Sequence, residues 1–292
     1  MTAKVSPPFR RLAIAAGLAL SAASAWAAEA EQVTLPSLDG TQLTGRLFRP
    51  AGQGPFAAVV MLHGCAGMVN KNGGLTARET DWAKRFVGMG LVVLLPDSFT
   101  ARGVKSICRV ADRPVRPYRE RPQDAYGALR WLQAQSYVKP DRIALAGWSN
   151  GAMTALWTLK DDAKARPKDL AHDFVAGVAF YPGCIDLGKT TYKAKAPMLL
   201  QVGLEDNWTM PKPCVALVEA ANGRGGAKME IDAYENAVHD FDHPNLAMKT
   251  TTTRNNAAGS GAREVRIGTN PEARQKAIQR VAAYLRGALA LE

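Results

Sequence analysis

The sequence predicts an α/β fold with a mostly parallel central sheet, helices on both of its faces, and a β-hairpin at the N-terminal end. Three observations carry that reading. From residue 55 onward, short apolar runs alternate with segments of helical spacing, the order in which parallel strands and their right-handed crossovers follow one another. The runs are apolar throughout rather than at every second position, as in strands buried on both faces. Finally, Gly147-Trp148-Ser149-Asn150-Gly151 stands where such a run meets a helical segment.

In chain order, residues 32–48 alternate apolar and polar side chains around Asp39-Gly40, a hairpin signal. Residues 55–62 are a continuous apolar run ending at His63-Gly64. Residues 76–89 have helical spacing, and 91–95 form a second buried strand closed by Pro96-Asp97. Residues 122–135 read as a helix with Ala125, Ala128, Leu129 and Leu132 on its apolar side. A strand at 142–146 leads through the Gly-x-Ser-x-Gly segment into a helix from Asn150. Strands follow at 174–181, 197–202 and 228–234, with helices at 211–222 and 271–289. Each of these two helices has proline at its start, where the locked φ fits and the missing N–H is not needed. Thr and Asn clusters make residues 248–268 read as a surface loop before the last helix.

The composition is that of a globular protein. Apolar residues make up 47% and charged residues 22% of 292, which excludes a disordered chain, a collagen-like repeat and a coiled coil. Residues 1–27 read as an address rather than as part of the fold. Lys4, Arg10 and Arg11 precede an apolar run at 12–23, too short to cross a hydrocarbon core of ~30 Å. Ala25-Trp26-Ala27 then has the small-x-small form of a cleavage site. These parts in this order make a secretory signal peptide. The expected mature chain is a single domain, 28–292, exported to the bacterial periplasm or secreted, with no later run long enough to span a membrane. Losing the three leader cations lowers the formal charge from +11 to +8. The remaining cations are scattered and not interleaved with aromatics, so no nucleic-acid partner is expected. The densest stretch, Arg113 to Arg121, contains prolines and reads as a solvated basic loop.

The Gly-x-Ser-x-Gly segment carries the strongest chemical signal because of its setting. A serine forced into a sharp turn at a strand's end holds its hydroxyl clear of the sheet, and its neighbours must be small because strand and helix approach closely there. A serine hydroxyl is a weak nucleophile and needs a base, itself oriented by a third group. In this arrangement the chain order is serine, acid, histidine. His239 lies just beyond the strand ending at Tyr234 and is the expected base, ahead of His243 and His172. The acid should follow the strand at 197–202, which points to Asp206, with Glu205 as its nearest rival. The oxyanion needs two backbone donors. The Asn150 amide is one, and the Cys65 amide, in the glycine-rich turn after the strand at 55–62, is the other. His63 is read as structural support of that turn. Asn207-Trp208-Thr209 matches a glycosylation sequon and is read as accidental.

Taken together, His63-Gly64, Pro96-Asp97-Ser98-Phe99 with Arg102, the segment around Ser149, Gly203 to Asp206, His239-Asp240-Phe241 and Asn270-Pro271-Glu272-Ala273 resemble the dienelactone hydrolase family of the α/β-hydrolase fold. The resemblance spans nearly the whole mature chain. It implies a Ser149–His239–Asp206 triad that cleaves an ester or lactone through an acyl-enzyme, with no metal or organic cofactor and a small-molecule partner. The founding enzymes use cysteine as nucleophile and a pair of arginines to hold a substrate carboxylate. Here serine stands in the cysteine's place. Arg102 matches the first arginine, and the second would fall where Asp242 and His243 stand. A serine esterase or lactonase of wider scope is therefore expected. Arg102 and Trp148 are assigned to the substrate pocket, against a structural reading in which Arg102 pairs with Asp97 or caps loop carbonyls. A peptidase or acyltransferase with the same triad, or a binding protein that has lost turnover, are the rival readings.

The four cysteines allow three pairings. Neighbouring strand ends favour Cys65–Cys108 and Cys184–Cys214, and export favours their oxidation.

Overall fold

The computed structural model describes residues 1–2, 30–254 and 262–291. Most of the expected leader therefore lies outside the described residues. The hairpin forms as expected, from β1 (Glu31–Pro36) and β2 (Gln42–Phe48), paired antiparallel. The buried strands follow as β3 (Phe56–Leu62) and β4 (Val92–Pro96), separated by α1 (Ala77–Gly88). Helix α2 (Glu120–Gln133) leads to β5 (Val138–Trp148) and α3 (Asn150–Thr158). Beyond them come β6 (Ala176–Phe180), the short α4 (Ile185–Gly188), β7 (Met198–Gly203), α5 (Lys212–Asn222) and β8 (Met229–Tyr234). A hairpin of β9 (Lys249–Thr253) and β10 (Arg263–Ile267) precedes α6 (Pro271–Ala288).

The eight-stranded sheet runs β1-β2-β4-β3-β5-β6-β7-β8. The pairs β1–β2 and β2–β4 are antiparallel, and all others are parallel. Each face carries its own core, as continuous apolar strands require. On one, Leu129 of α2, Leu156 of α3 and Leu217 of α5 cover Val60, Leu145 and Leu200. On the other, Trp82 and Phe86 of α1 and Val281 of α6 cover Val59, Ala144 and Leu199. The carboxyl ends of β3, β5, β6, β7 and β8 consequently open along one edge, where ligands bind in such sheets.

Two expectations are corrected. Residues 248–268 are not simply a loop, since β9 and β10 pair over five residues each. Their signal was hidden because Thr253 and Val265 alone are buried there, so no apolar alternation appears in the sequence. The basic stretch is not uniformly solvated either. Arg121, in the first turn of α2, is fully buried.

Cys65–Cys108 and Cys184–Cys214 are both formed, the pairing that neighbouring strand ends favour. The first ties the turn after β3 to the segment after β4. The second joins the residue that precedes α4 to the first turn of α5. Replacing Cys184 and Cys214 together by alanine is expected to cost about 2–4 kcal/mol, because the bridge restricts the unfolded chain. The fall in unfolding free energy extrapolated from urea titrations measures it, with a steeper slope expected as the unfolded chain expands, and an unchanged free energy would contradict it.

Candidate active site

The site is built on the turn between β5 and α3. Ser149 has φ 51° and ψ −111°, a left-handed backbone that non-glycine residues rarely adopt. Close packing explains the glycines around it. A Cβ on Gly151 would sit 2.0 Å from the Leu62 carbonyl oxygen, and one on Gly147 would sit 2.3 Å from the Gly151 carbonyl oxygen. The turn is held by Ser149 N–H, which donates to the Phe180 carbonyl (2.9 Å), and by Met153 N–H, which donates to the Ser149 carbonyl (2.9 Å).

Neighbouring strands deliver the partners. His239 follows β8 and is almost fully buried. Its Nδ1 lies 2.7 Å from Asp206 Oδ2, just past β7. The carboxylate at Nδ1 holds a proton there and leaves the Nε2 lone pair available as a base. Asp206 Oδ1 accepts from the Trp208 and Thr209 amides at 2.8 and 2.9 Å, which fixes the carboxylate. Burial opposes a charged imidazole at His239, but the charge and hydrogen bond of Asp206 outweigh it, and the pKa lies above the ordinary value. The ring is packed between Tyr181 and Trp208, with centroids at 4.5 and 4.7 Å. Glu205 does not reach it. That carboxylate pairs with Arg266 at the surface (2.9 Å). His243 Nδ1 accepts from the Asn245 amide (3.2 Å), and His172 is exposed.

The turn carrying Cys65 lies against the serine. A Cβ on Gly64 would come within 3.6 Å of the Trp148 carbonyl oxygen and 3.8 Å of Ser149 Cβ. Asn150 opens α3, so its amide is among the four N–H groups without an intrahelical acceptor. His63 supports the turn. Its Nδ1–H donates to the Gly64 carbonyl (2.8 Å), and Nε2 accepts from the Ser98 amide (3.3 Å). Burial, reinforced by the charge of Arg121, lowers its pKa to about 3, so it stays neutral.

Two residues assigned to the pocket are engaged by other groups of the protein. The Arg102 guanidinium grips Asp124 with both terminal nitrogens (2.7 and 3.0 Å), and also donates to Asp39 Oδ2 and the Ser98 carbonyl (both 2.8 Å). It clamps α2 to the β1–β2 turn. Of the two structural contacts expected, the loop-carbonyl cap forms, at Ser98, while the carboxylate partners are Asp124 and Asp39 rather than Asp97. Asp97 instead caps the Phe99 and Thr100 amides. Trp148 is buried, stacked on Phe180 at 5.3 Å, and donates from Nε1 to Asp242 Oδ2 (2.7 Å). An indole N–H in an apolar interior needs such an acceptor, and the acceptor draws it inward rather than toward substrate.

Several site residues escaped the sequence reading. Thr209 Oγ lies 2.9 Å from Asp206 Oδ2, 3.0 Å from His239 Nδ1 and 2.9 Å from the Tyr181 carbonyl. Its sequence signal was present as the threonine of the apparent sequon, and its hydroxyl is committed inside the site. Arg121 donates to Asn150 Oδ1 (2.6 Å) and to the His63 carbonyl (2.8 Å), so it ties the start of α3 to the turn after β3. Burial lowers its pKa to about 9, which leaves it charged at neutral pH. Asp242 is fully buried and accepts from Trp82 Nε1 (2.7 Å), Trp148 Nε1 (2.7 Å) and Tyr181 Oη (2.6 Å). Beside it, Arg78 pairs with Asp240 (2.7 Å) and Glu79 (2.9 Å).

The sheet order, with the serine, acid and histidine following β5, β7 and β8 in that chain order, is that of the α/β-hydrolase fold. Residues 43–289 match the dienelactone hydrolase family, and the chain belongs to that family of ester-type hydrolases. Solved structures share the fold at low identity. A putative dienelactone hydrolase from Klebsiella pneumoniae subsp. pneumoniae superposes with a TM-score of 0.64 at 17% identity, covering 89% of this chain and 98% of that one. Thermogutta terrifontis esterase 2, phosphoramylated by tabun, gives 0.62 at 18% identity, with 90% and 95% coverage. Porphyromonas gingivalis dipeptidyl peptidase 4 gives 0.61 at 15% identity over 89% of this chain but 36% of its own. No curated protein matches the sequence.

Two outcomes follow from this geometry. With His239 as base, kcat/KM should fall on the acid side with a midpoint above the ordinary imidazole value of about 6.5, because protonated His239 cannot accept the serine proton. Asp206→Asn should move that limb to lower pH and cut the rate about 10⁴-fold. A pH profile unmoved by this change would separate Asp206 from His239 function. Arg102→Gln should leave KM alike for neutral and carboxylate-bearing esters while lowering stability by about 3 kcal/mol, since Asp124 is left buried without its partner. A selective rise of KM for the charged esters would return Arg102 to the pocket.

Proposed function

We propose that this chain is an exported serine hydrolase that cleaves a small-molecule ester or lactone through Ser149, His239 and Asp206. The observation that carries the reading is the 2.7 Å contact of His239 Nδ1 with Asp206, on the same sheet edge as the left-handed Ser149. Ser149 Oγ attacks the carbonyl carbon while His239 Nε2 takes its proton. The Asn150 and Cys65 amides hold the oxyanion. Collapse of the tetrahedral intermediate expels the alkoxide, which receives the proton from His239. Water, deprotonated by the same nitrogen, then attacks the acyl-enzyme and releases the acid. Asp206 keeps the imidazole in the required tautomer and stabilises its charged form.

Scope and location follow from further features. Arg102 is engaged by Asp124 and Asp39, and Asp242 stands where a second carboxylate-binding arginine would fall. This supports an esterase or lactonase of wider scope than carboxylate-bearing dienelactones. The two disulfides support an oxidising compartment, the periplasm or the exterior. Among the described residues no helix is long and apolar enough to cross a membrane. In this reading residues 1–27 are removed and 28–292 act as a single domain.

A fluorophosphonate probe should label the wild-type protein and leave Ser149→Ala unlabelled, with hydrolysis of aryl esters, alkyl esters and lactones lost in parallel. Near wild-type hydrolysis by Ser149→Ala would overturn the proposal.

A further inference from the structure

A cleft of about 630 Å³ lies beside α2 and α3, lined by none of Ser149, Asp206 and His239. It is bounded by the segment entering α2, the last turn of α3 and the chain beyond it. Its volume is that of a small-molecule pocket. Two aromatic side chains stand in its wall, Tyr118 and Trp157, with ring centroids 5.9 Å apart. Tyr118 is 54% exposed, unusual for so large a ring. Three cations, Arg119, Lys160 and Lys164, line the same space against the single carboxylate of Asp162.

The charges are unevenly satisfied. The Lys160 side chain is 6% exposed, yet its ammonium is paired with Asp162, which is 67% exposed. An ammonium has three N–H donors, and one carboxylate at the surface compensates a buried one incompletely. Lys164 forms no ion pair among the described residues, and Arg119, two-thirds exposed, reaches Glu120 through Nε at 3.1 Å. Aromatic faces next to an excess of cations call for a ligand that is flat, apolar over most of its area and singly negative at one end.

We propose that this cleft is a second ligand site, separate from the triad, that binds a small aromatic carboxylate. The ring lies against Trp157 and Tyr118, and the carboxylate accepts from Lys160 and Lys164. The proposal does not depend on how the triad works, because neither lysine nor either ring belongs to it.

Isothermal titration of 1-naphthoate into the whole chain tests it. Saturable binding is expected, weakening with added salt. The neutral analogue 1-naphthalenemethanol should bind at least about tenfold more weakly, because the charge-assisted contacts to both lysines are lost. Lys164→Glu, at an exposed position that leaves folding intact, should weaken 1-naphthoate at least about tenfold while ester hydrolysis is unchanged. Trp157→Phe should retain most of the binding and Trp157→Ala should lose it; thermal melts identify any variant that has failed to fold. Absence of saturable heat, equal affinity of Lys164→Glu and wild type, or equal binding of inorganic phosphate and 1-naphthoate would each overturn the proposal.

Discussion

The close approach of β3, β5 and α3 at one turn sets the terms for the rest of the molecule. With 2.0 Å between the Leu62 carbonyl oxygen and the place a Gly151 Cβ would occupy, there is no room for any side chain there. That contact lets the helix begin directly over the sheet edge. It forces Ser149 into a left-handed backbone and brings the turn after β3 against it. Strain of this kind costs of order 1–3 kcal/mol and persists because the surroundings over-determine it. The two cores, one on each face, supply the fixed frame that holds it.

Around the turn the buried polar groups form two braces. One is Arg121, which joins Asn150 to the His63 carbonyl, so the start of α3 and the turn after β3 are referred to one guanidinium. The other is Asp242. Its carboxylate gathers donors from α1, from the residue before Ser149 and from the end of β6, and it lies three residues after His239. A buried carboxylate is tolerable when several donors converge on it, and the convergence fixes the loop that carries it. The loop that carries the histidine is thereby tied to α1, to Trp148 and to Tyr181.

The legible parts of the sequence share a physical basis. Strands buried on both faces must be apolar throughout, so β3, β4, β5, β6 and β7 announce themselves, and their order makes the sheet parallel. The serine's turn needs glycines where backbones touch, so its motif is local. Asp206 and His239 could be placed because strand ends are countable along the chain. The cysteine pairing followed from the same counting. By contrast, β9 and β10 each bury a single side chain, and a strand without alternation carries no period to find.

What the sequence determined by itself is the set of elements and their chemistry-bearing ends, because those depend on local spacing and on burial that every residue of a strand shares. What the tertiary structure alone decided is which partner each long polar side chain finds. Arg102 could have reached outward to a ligand, but Asp124 and Asp39 meet it first. Trp148 turned inward because Asp242, 94 positions along the chain, offered its indole an acceptor. Arg121, read as part of a solvated basic stretch, became a buried brace between Asn150 and the turn after β3. Such choices rest on distances between residues far apart in sequence, and a long flexible side chain carries no trace of them in its neighbours.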